Sequence, residues 1–309
     1  MPSAPTSAVG PAAAPAAERC LVCGDALGDA TITPRSSYAT HGRFQIARCA
    51  GCGTGATWPR PTAAELDACY ASTYGYGAHT LIEHEKRYRS RRLLDRAGLA
   101  HGRLLDVGCM FGFLLDEAAR RGLETWGVEL SPEPARAAAA HGHRVTIGTL
   151  DDHVSAHPDQ RFDAIVAQHV VEHLPDPAGF FRQAAGLLAP GGRLVIAVPN
   201  FEARLRRLAP AAWGWYQVPV HLHHFTARGL RHLAIAAGLE VEAEAAHGGD
   251  TLFLALTALQ AARRPVTGGD GDRASGGAAR MALRAAGAGL RPYYQLGDDE
   301  LVLVARRRT

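Results

Sequence analysis

Four cysteines come as two pairs of one shape, Cys20-Leu21-Val22-Cys23-Gly24 and Cys49-Ala50-Gly51-Cys52-Gly53. A two-residue spacer turns both sulfurs of a pair toward one ion, and the glycine lets the chain bend tightly beneath it. That is the donor set of a tetrahedral zinc site. Four protein ligands leave no open position, so such an ion holds a fold and does no chemistry. A redox dithiol or a catalytic zinc are the competing readings, and the paired spacing favours the structural ion over both. The 25 residues between the pairs include Ile32, Tyr38, Phe44 and Ile46. They suffice for a hairpin but not for a core, so the segment needs a staple. His41 is a spare ligand that four cysteines make unnecessary.

A second set begins at Asp106-Val107-Gly108-Cys109-Met110-Phe111-Gly112. A dinucleotide fingerprint would need glycine at 110 and 113, where Met110 and Phe113 stand, and the Asp106 carboxylate would repel a pyrophosphate. S-adenosylmethionine has no phosphate and carries an ammonium and a sulfonium, which a carboxylate suits. Glu129 follows Asp106 by 23 residues, a separation at which an acid on the next strand reaches ribose hydroxyls.

The third set is spread more widely. His169, Glu172 and His173 follow the fourth strand of the pattern, and a helical turn there would put all three on one face. The plainer reading is that Glu172 and His173 hydrogen-bond the loop and the next helix. Trp213, Trp215, Tyr216, His221, His223 and His224 crowd the long link 200–226. Such a link is read either as a lid that excludes water from a reacting centre or as an aromatic wedge filling a gap over the sheet. Pro219 fixes the backbone just before His221. With an ordinary pKa near 6.5, His221 is the candidate general base, and His169 is the second catalytic candidate. His223 and His224 are expected to orient His221 or face solvent.

The elements that must position these residues alternate. Apolar runs at 103–107, 124–129, 144–147, 162–167, 193–198, 239–246 and 300–305 read as strands. Stretches near 112–121, 132–141, 177–189 and 227–237 read as helices. This alternation predicts an α/β, doubly wound, seven-stranded Rossmann-like sheet behind a small N-terminal zinc ribbon. The expected division is a disordered leader 1–17, a zinc ribbon 18–60, a helical connector 61–100 and a cofactor domain 101–309. The stretch 263–280 reads as a flexible insertion and 281–289 as a short Ala-rich helix.

Composition narrows the classes. At 309 residues, 47% hydrophobic and 20% charged, the chain is globular, and a formal charge of +3 is too small to argue for nucleic acid. The run Lys86, Arg87, Arg89, Arg91, Arg92 and Arg96 is interleaved with Glu83, Glu85 and Asp95 and reads as a solvated helix face. No segment approaches a membrane span, and the leader has no apolar stretch of a signal peptide. Metal-type cysteine pairs without an export signal favour the reducing cytoplasm.

Residues 104–115, Val128-Glu129-Leu130-Ser131-Pro132, Phe162-Asp163-Ala164-Ile165 with His169-Val170-Val171-Glu172-His173, and Leu188-Ala189-Pro190-Gly191-Gly192-Arg193-Leu194 resemble successive motifs of class I S-adenosylmethionine-dependent methyltransferases. With the cysteine pairs, Pro219-Val220-His221-Leu222-His223-His224-Phe225-Thr226 is similar to the zinc-ribbon subgroup that includes deoxysugar C-methyltransferases. The resemblance implies that Asp106, Gly108 and Gly112 embrace the methionine part of the cofactor, Glu129 the ribose, and the Leu150–Asp151 region the adenine. Met110 departs from the usual small residue. In quinone O-methyltransferases the segment similar to His169–His173 has an acid at its first position and is implicated in holding a divalent ion, and His169 replaces that acid here.

Methyl transfer to a small-molecule acceptor, a sugar, natural-product or cell-envelope intermediate, is the leading expectation. One rival is an RNA methyltransferase whose ribbon grips nucleic acid. It lacks the Asn/Asp-Pro-Pro-aromatic motif, since Gln168-His169-Val170-Val171 stands there. The other rival is a binding module in which Met110 blocks the cofactor.

Overall fold

The computed structural model describes residues 18–34, 43–73, 83–208, 210, 213–248 and 297–308. The leader 1–17, His41, Tyr38, and the expected insertion and helix at 263–280 and 281–289 lie outside the described residues. Strands β1 Leu27–Ile32, β2 Gln45–Cys49 and β3 Gly55–Trp58 precede helices α1 Ala63–Thr73 and α2 Glu83–Ala97. Then come β4 Arg103–Val107, α3 Phe113–Arg120, β5 Glu124–Glu129, α4 Pro132–Ala140, β6 Arg144–Ile147 and α5 Leu150–Ala156. The chain continues with β7 Phe162–Gln168, α6 Pro177–Leu187, β8 Leu188–Pro199, α7 Arg204–Leu208, β9 His223–His224, α8 Ala227–Ala236, β10 Leu239–His247 and β11 Glu300–Arg307.

The seven expected strands form one sheet in the order β10-β11-β8-β7-β4-β5-β6. Strands β4 to β8 run parallel, and β11 inserts antiparallel to both β8 and β10. Parallel strands covered on both faces must be apolar on both. Alternate residues divide accordingly. Leu105, Ile165 and Ile196 join the core with α6 and α8, while Leu104, Val166 and Val195 join the core with α2 and α3. Strand order reverses between β4 and β7, so the ligand crevice belongs at their carboxyl ends. Helices begin where the sequence supplies a cap: Thr149 and Asp152 form a capping box, and Asp176 accepts from Gly179 N ahead of Pro177.

The ribbon is welded to this domain. Its four-stranded sheet has the order β1-β2-β3-β9, so the fourth strand comes from the link 200–226. Gly55 lies opposite His224, and a Cβ on it would stand 2.7 Å from Ile46 and 3.0 Å from Phe201. Only glycine lets the two segments meet there. Trp213, Trp215, Tyr216 and Val218 are buried together with Phe44, Ile46 and Phe201. Each aromatic hides about 150–250 Å², which at about 25 cal/mol per Å² is on the order of 4–6 kcal/mol before ordering costs. The link is therefore a packed wedge between ribbon and sheet, and the aromatic-lid expectation gives way to the gap-filling one.

One further expectation is corrected. Arg87 and Arg89 do not belong to a solvated face. Arg87 pairs with Asp116 at 3.0 Å and Arg89 with Glu300, and their side chains are 20% and 13% exposed. The carboxylates of α3 and β11 draw this side of α2 inward.

Candidate active site

The two cysteine pairs converge. Cys20 Sγ lies 3.8 Å from Cys52 Sγ, Cys23 Sγ lies 3.4 Å from Cys49 Sγ, and all four sulfurs fall within 4.8 Å of one another. Four sulfurs at about 2.3 Å from a tetrahedral zinc are about 3.8 Å apart, so the residues fit the ion. The hydrogen bond between Cys20 and Cys52 pushes the Cys20 thiol up and holds the Cys52 thiol down.

The glycine loop sits at the carboxyl end of β4. Gly108 N and Cys109 N both donate to Val128 O, at 2.8 and 3.1 Å, tying the loop to β5. Glu129 accepts from Met110 N at 3.0 Å and from Ser131 N at 2.7 Å, and Gly148 N donates to its carbonyl at 2.9 Å. One acid thus organises the ends of β4, β5 and β6 while its remaining lone pairs stay open to a ligand. Asp106 is 5% exposed, and no side-chain donor among the described residues pairs with it. Burial, followed by the charge of Glu129, pushes its carboxyl well above the usual range. A cationic ligand relieves that cost, so the corner fits S-adenosylmethionine.

Met110 occupies a left-handed backbone, φ 47, at a cost of about 1–2 kcal/mol for a side chain other than glycine. Its sulfur lies 3.7 Å from Lys86 Nζ, so the side chain points toward α2. Gly112 carries φ +80 at the entry to α3. Leu150 is buried, and the exposed Asp151 accepts from Gln183. Leu130 and Ile147, 70% and 47% exposed, flank the same mouth at the ends of β5 and β6. The sequence reading passed over both, although an apolar residue directly after Glu129 was the available signal.

The end of β7 adjoins this loop, because a Cβ on Gly108 would stand 2.5 Å from Val170 Cγ2. A single 3-10 turn spans Val171–His173, and His169, at φ 54, stands outside it. The expected common helical face does not form. His169 Nδ1 faces Glu172 Oε1 and Nε2 faces Glu300 Oε1, both at 3.1 Å, and the Arg89 guanidinium also donates toward Nε2. Burial and Arg89 oppose a charge on the ring, but the two carboxylates outweigh them and raise the pKa. The ring stacks on Trp215 at 4.9 Å. His169 is thereby tied into a buried ion-pair cluster with Arg89, Glu172 and Glu300 and is not free to act as a base. Glu300, which the sequence reading did not single out, lies in β11 and reaches the site only through strand pairing with β8.

His221 is 2% exposed. Its Nδ1 donates to Trp215 O at 2.9 Å, and its carbonyl accepts from Thr57 Oγ1 at 2.6 Å. His173 Nδ1 donates to Val220 O at 3.0 Å, and the two rings stand edge-on at 4.6 Å. Burial drives the His221 pKa well below its ordinary value, which corrects the near-neutral expectation. The ring stays neutral through the physiological range and is a weaker base than a free histidine. His223 donates to Leu174 O, and His224 donates to the Thr57 hydroxyl. Neither faces solvent: His223 is held by the turn after the 3-10 segment and His224 by the ribbon. Glu172 and His173 bond the 220–222 segment rather than the next helix, with Glu172 O accepting from Leu222 N at 2.8 Å.

The methyltransferase-domain family matches residues 82–244 of the 309. The chain belongs to that family. This methyltransferase is 33% identical over 162 residues to a ubiquinone biosynthesis O-methyltransferase of Aeromonas salmonicida, covering 48% of this chain and 68% of that protein. A protein of the same name from Sodalis glossinidius is 30% identical over 173 residues, with 53% and 69% covered. An S-adenosylmethionine-dependent methyltransferase structure from Archaeoglobus fulgidus superposes with a TM-score of 0.52 at 17% identity, over 76% of this chain and all but 1% of that one, 99% being covered. Phosphoethanolamine N-methyltransferase 2 of Haemonchus contortus, in complex with S-adenosyl-L-methionine, gives 0.51 at 16% identity, over 78% and 60%. These structures share the fold. The enzyme is an S-adenosylmethionine-dependent methyltransferase, and none of its described helices is long and apolar enough to cross a membrane.

Proposed function

We propose that this methyltransferase moves a methyl group to an oxygen of a small molecule held beside Glu172, His173 and His221, in the cytoplasm, with zinc bracing the ribbon. One observation carries the reading: a buried corner of proton acceptors adjoins the glycine loop through the Val170–Gly108 contact. Bound S-adenosylmethionine supplies a methyl on a sulfonium that departs as a neutral thioether, so no acid is required. A hydroxyl acceptor, by contrast, must lose its proton. Neutral His221, its Nδ1 fixed as donor to Trp215 O, presents Nε2 as the base, a role worth about 10²–10⁴-fold. The welded ribbon and aromatic wedge make a rigid wall, and alignment of that quality contributes up to roughly 7–11 kcal/mol.

On this reading Asp106, Gly108 and Gly112 hold the methionine portion, Glu129 the ribose, and Leu150 with Asp151, Leu130 and Ile147 the adenine. The acceptor is a sugar, natural-product or envelope intermediate. The O-methyltransferase names of the curated relatives support oxygen. Six free cysteines suit a reducing compartment. The test is incubation with methyl-labelled S-adenosylmethionine and a host extract, followed by mass spectrometry of metabolites that gain one CH₂. Label confined to the RNA fraction would defeat the small-molecule reading.

A further inference from the structure

Asp116, His141 and His143 belong neither to the ribbon nor to the acceptor corner, yet they converge on one point. Asp116 lies in the first turn of α3, and its N donates to Gly112 O at 2.8 Å. His141 caps the end of α4, and His143 directly precedes β6. Gly142 between them takes φ 92, a turn that glycine adopts without strain. The turn aims both rings at a single carboxylate oxygen: His141 Nδ1 lies 3.2 Å and His143 Nε2 3.1 Å from Asp116 Oδ1. The three ligand atoms fall within 4.8 Å of one another. The His143 and Asp116 side chains are 3% and 14% exposed and that of His141 is 53% exposed, so the cluster is closed on the protein side and open at His141.

We infer that Asp116, His141 and His143 form a binding site for a zinc-class divalent ion that staples α3 to the turn between α4 and β6. The inference goes beyond the proposed function and stands without it. Ligands about 2.0–2.1 Å from a tetrahedral zinc stand about 3.3 Å apart, close to both nitrogen–oxygen distances here. Ligating imidazoles and carboxylates are characteristically held by hydrogen bonds at their other atoms. His143 Nδ1 lies 2.9 Å from Thr125 Oγ1, to which it donates when Nε2 carries the ion, and Asp116 Oδ2 accepts from Arg87 Nη2 at 3.0 Å. Two imidazoles and one carboxylate suit zinc, cobalt or nickel rather than magnesium or calcium.

Arg87 opposes a cation at this point, which selects further for ions whose affinity comes from imidazole lone pairs instead of from charge. Without an ion the same atoms make two N–H···O bonds, since one carboxylate oxygen accepts twice. The two states differ in what the cluster holds together. A Cβ on Gly112 would stand 3.0 Å from Ala138 Cβ and 3.2 Å from His143 Cδ2, so the turn already packs against the entry to α3. An ion fixes that contact by coordination, and the open side at His141 leaves positions for water and lets the ion exchange.

Cobalt(II) tests this in the full-length protein without cofactor or acceptor. Cobalt on the ribbon's thiolates gives intense sulfur-to-cobalt charge-transfer bands, whereas a nitrogen–oxygen site gives only weak ligand-field bands, so the two are counted separately. Wild type is expected to bind an equivalent that adds no charge-transfer band, and His221→Ala is expected to keep it. Outer-shell partners alone are worth about 10–100-fold in metal affinity, so His141→Ala and Asp116→Asn are each expected to weaken this equivalent by at least about tenfold. The exposure of His141 makes its substitution the one that spares the core, and unchanged thiolate bands report an intact ribbon in both variants. Cobalt added after the thiolates are filled should raise the melting temperature of wild type and not that of His141→Ala. Absence of such an equivalent in wild type, weakening of less than tenfold in either variant, or an equal melting shift in wild type and His141→Ala overturns the inference.

Discussion

The corners proposed for cofactor and acceptor touch at Gly108 and Val170 but are held by contacts of different range. Glu129 reaches Met110 N across 19 positions of sequence, within one strand–helix–strand unit. Thr57 holds the His221 carbonyl across 164 positions, and Thr226 donates to Cys52 O across 174. His169 is bracketed by Glu172 nearby and by Glu300 in the last strand. One corner is a local product of β4 and β5. The other exists only when ribbon, wedge and final strand have all come together. On the proposed function the ribbon forms part of the acceptor wall, and damage to it should separate cofactor binding from turnover.

Removing the zinc proposed for the ribbon is the sharpest way to break this comparison. Cys49→Ser, or chelation of zinc, should release β9 and with it His221. A misplacement of about 1 Å costs about 10²-fold, so turnover is expected to fall at least that far while calorimetry shows S-adenosylmethionine still bound. Parallel loss of cofactor affinity would show that the two corners fold as one.

His221→Ala comes next, with turnover down about 10²–10⁴-fold and cofactor affinity nearly unchanged. Single-turnover methylation measures it once an acceptor is in hand, and a loss below about tenfold would reduce His221 to a packing residue.

Glu129→Ala probes the opposite wall. Two charge-assisted hydrogen bonds to ribose at about 1.5–3 kcal/mol each set the scale, and affinity is expected to fall by about tenfold or more. Part of this loss will come through the loop, since Glu129 also receives Met110 N and Ser131 N. Acceptor binding, read separately by its own titration, should hold steady; an unchanged cofactor affinity in a folded variant would remove Glu129 from the site.

The smallest effect is a gain. Met110→Gly relieves a left-handed backbone at φ 47 and should stabilise the protein by about 1 kcal/mol in urea unfolding. No gain would mean that contacts of the Met110 side chain, including the one with Lys86, repay the strain.

The seven strands of the large sheet with the four helices α3, α4, α6 and α8, the cysteine pairs and the Asp106–Glu129 frame were legible in the sequence. Each depends on short-range rules: apolar runs that stop at glycine and proline, a fixed spacer between thiols, and an acid at the end of a strand. Even the departure at Met110 was visible as a residue too large for its loop. What the linear pattern hid was long in range. Nothing local to 200–226 distinguishes a cover from a wedge; burial of Trp213, Trp215 and Tyr216 against Phe44 and Phe201 decides it. Nothing local to His169 marks it as part of a buried charge cluster, because one of its two carboxylate partners arrives 131 positions later in β11. The pKa of His221 is likewise a property of its burial rather than of its side chain. Sequence periodicity specifies which residues turn inward, but only packing of distant segments determines what they meet, and charge and proton affinity follow from what they meet.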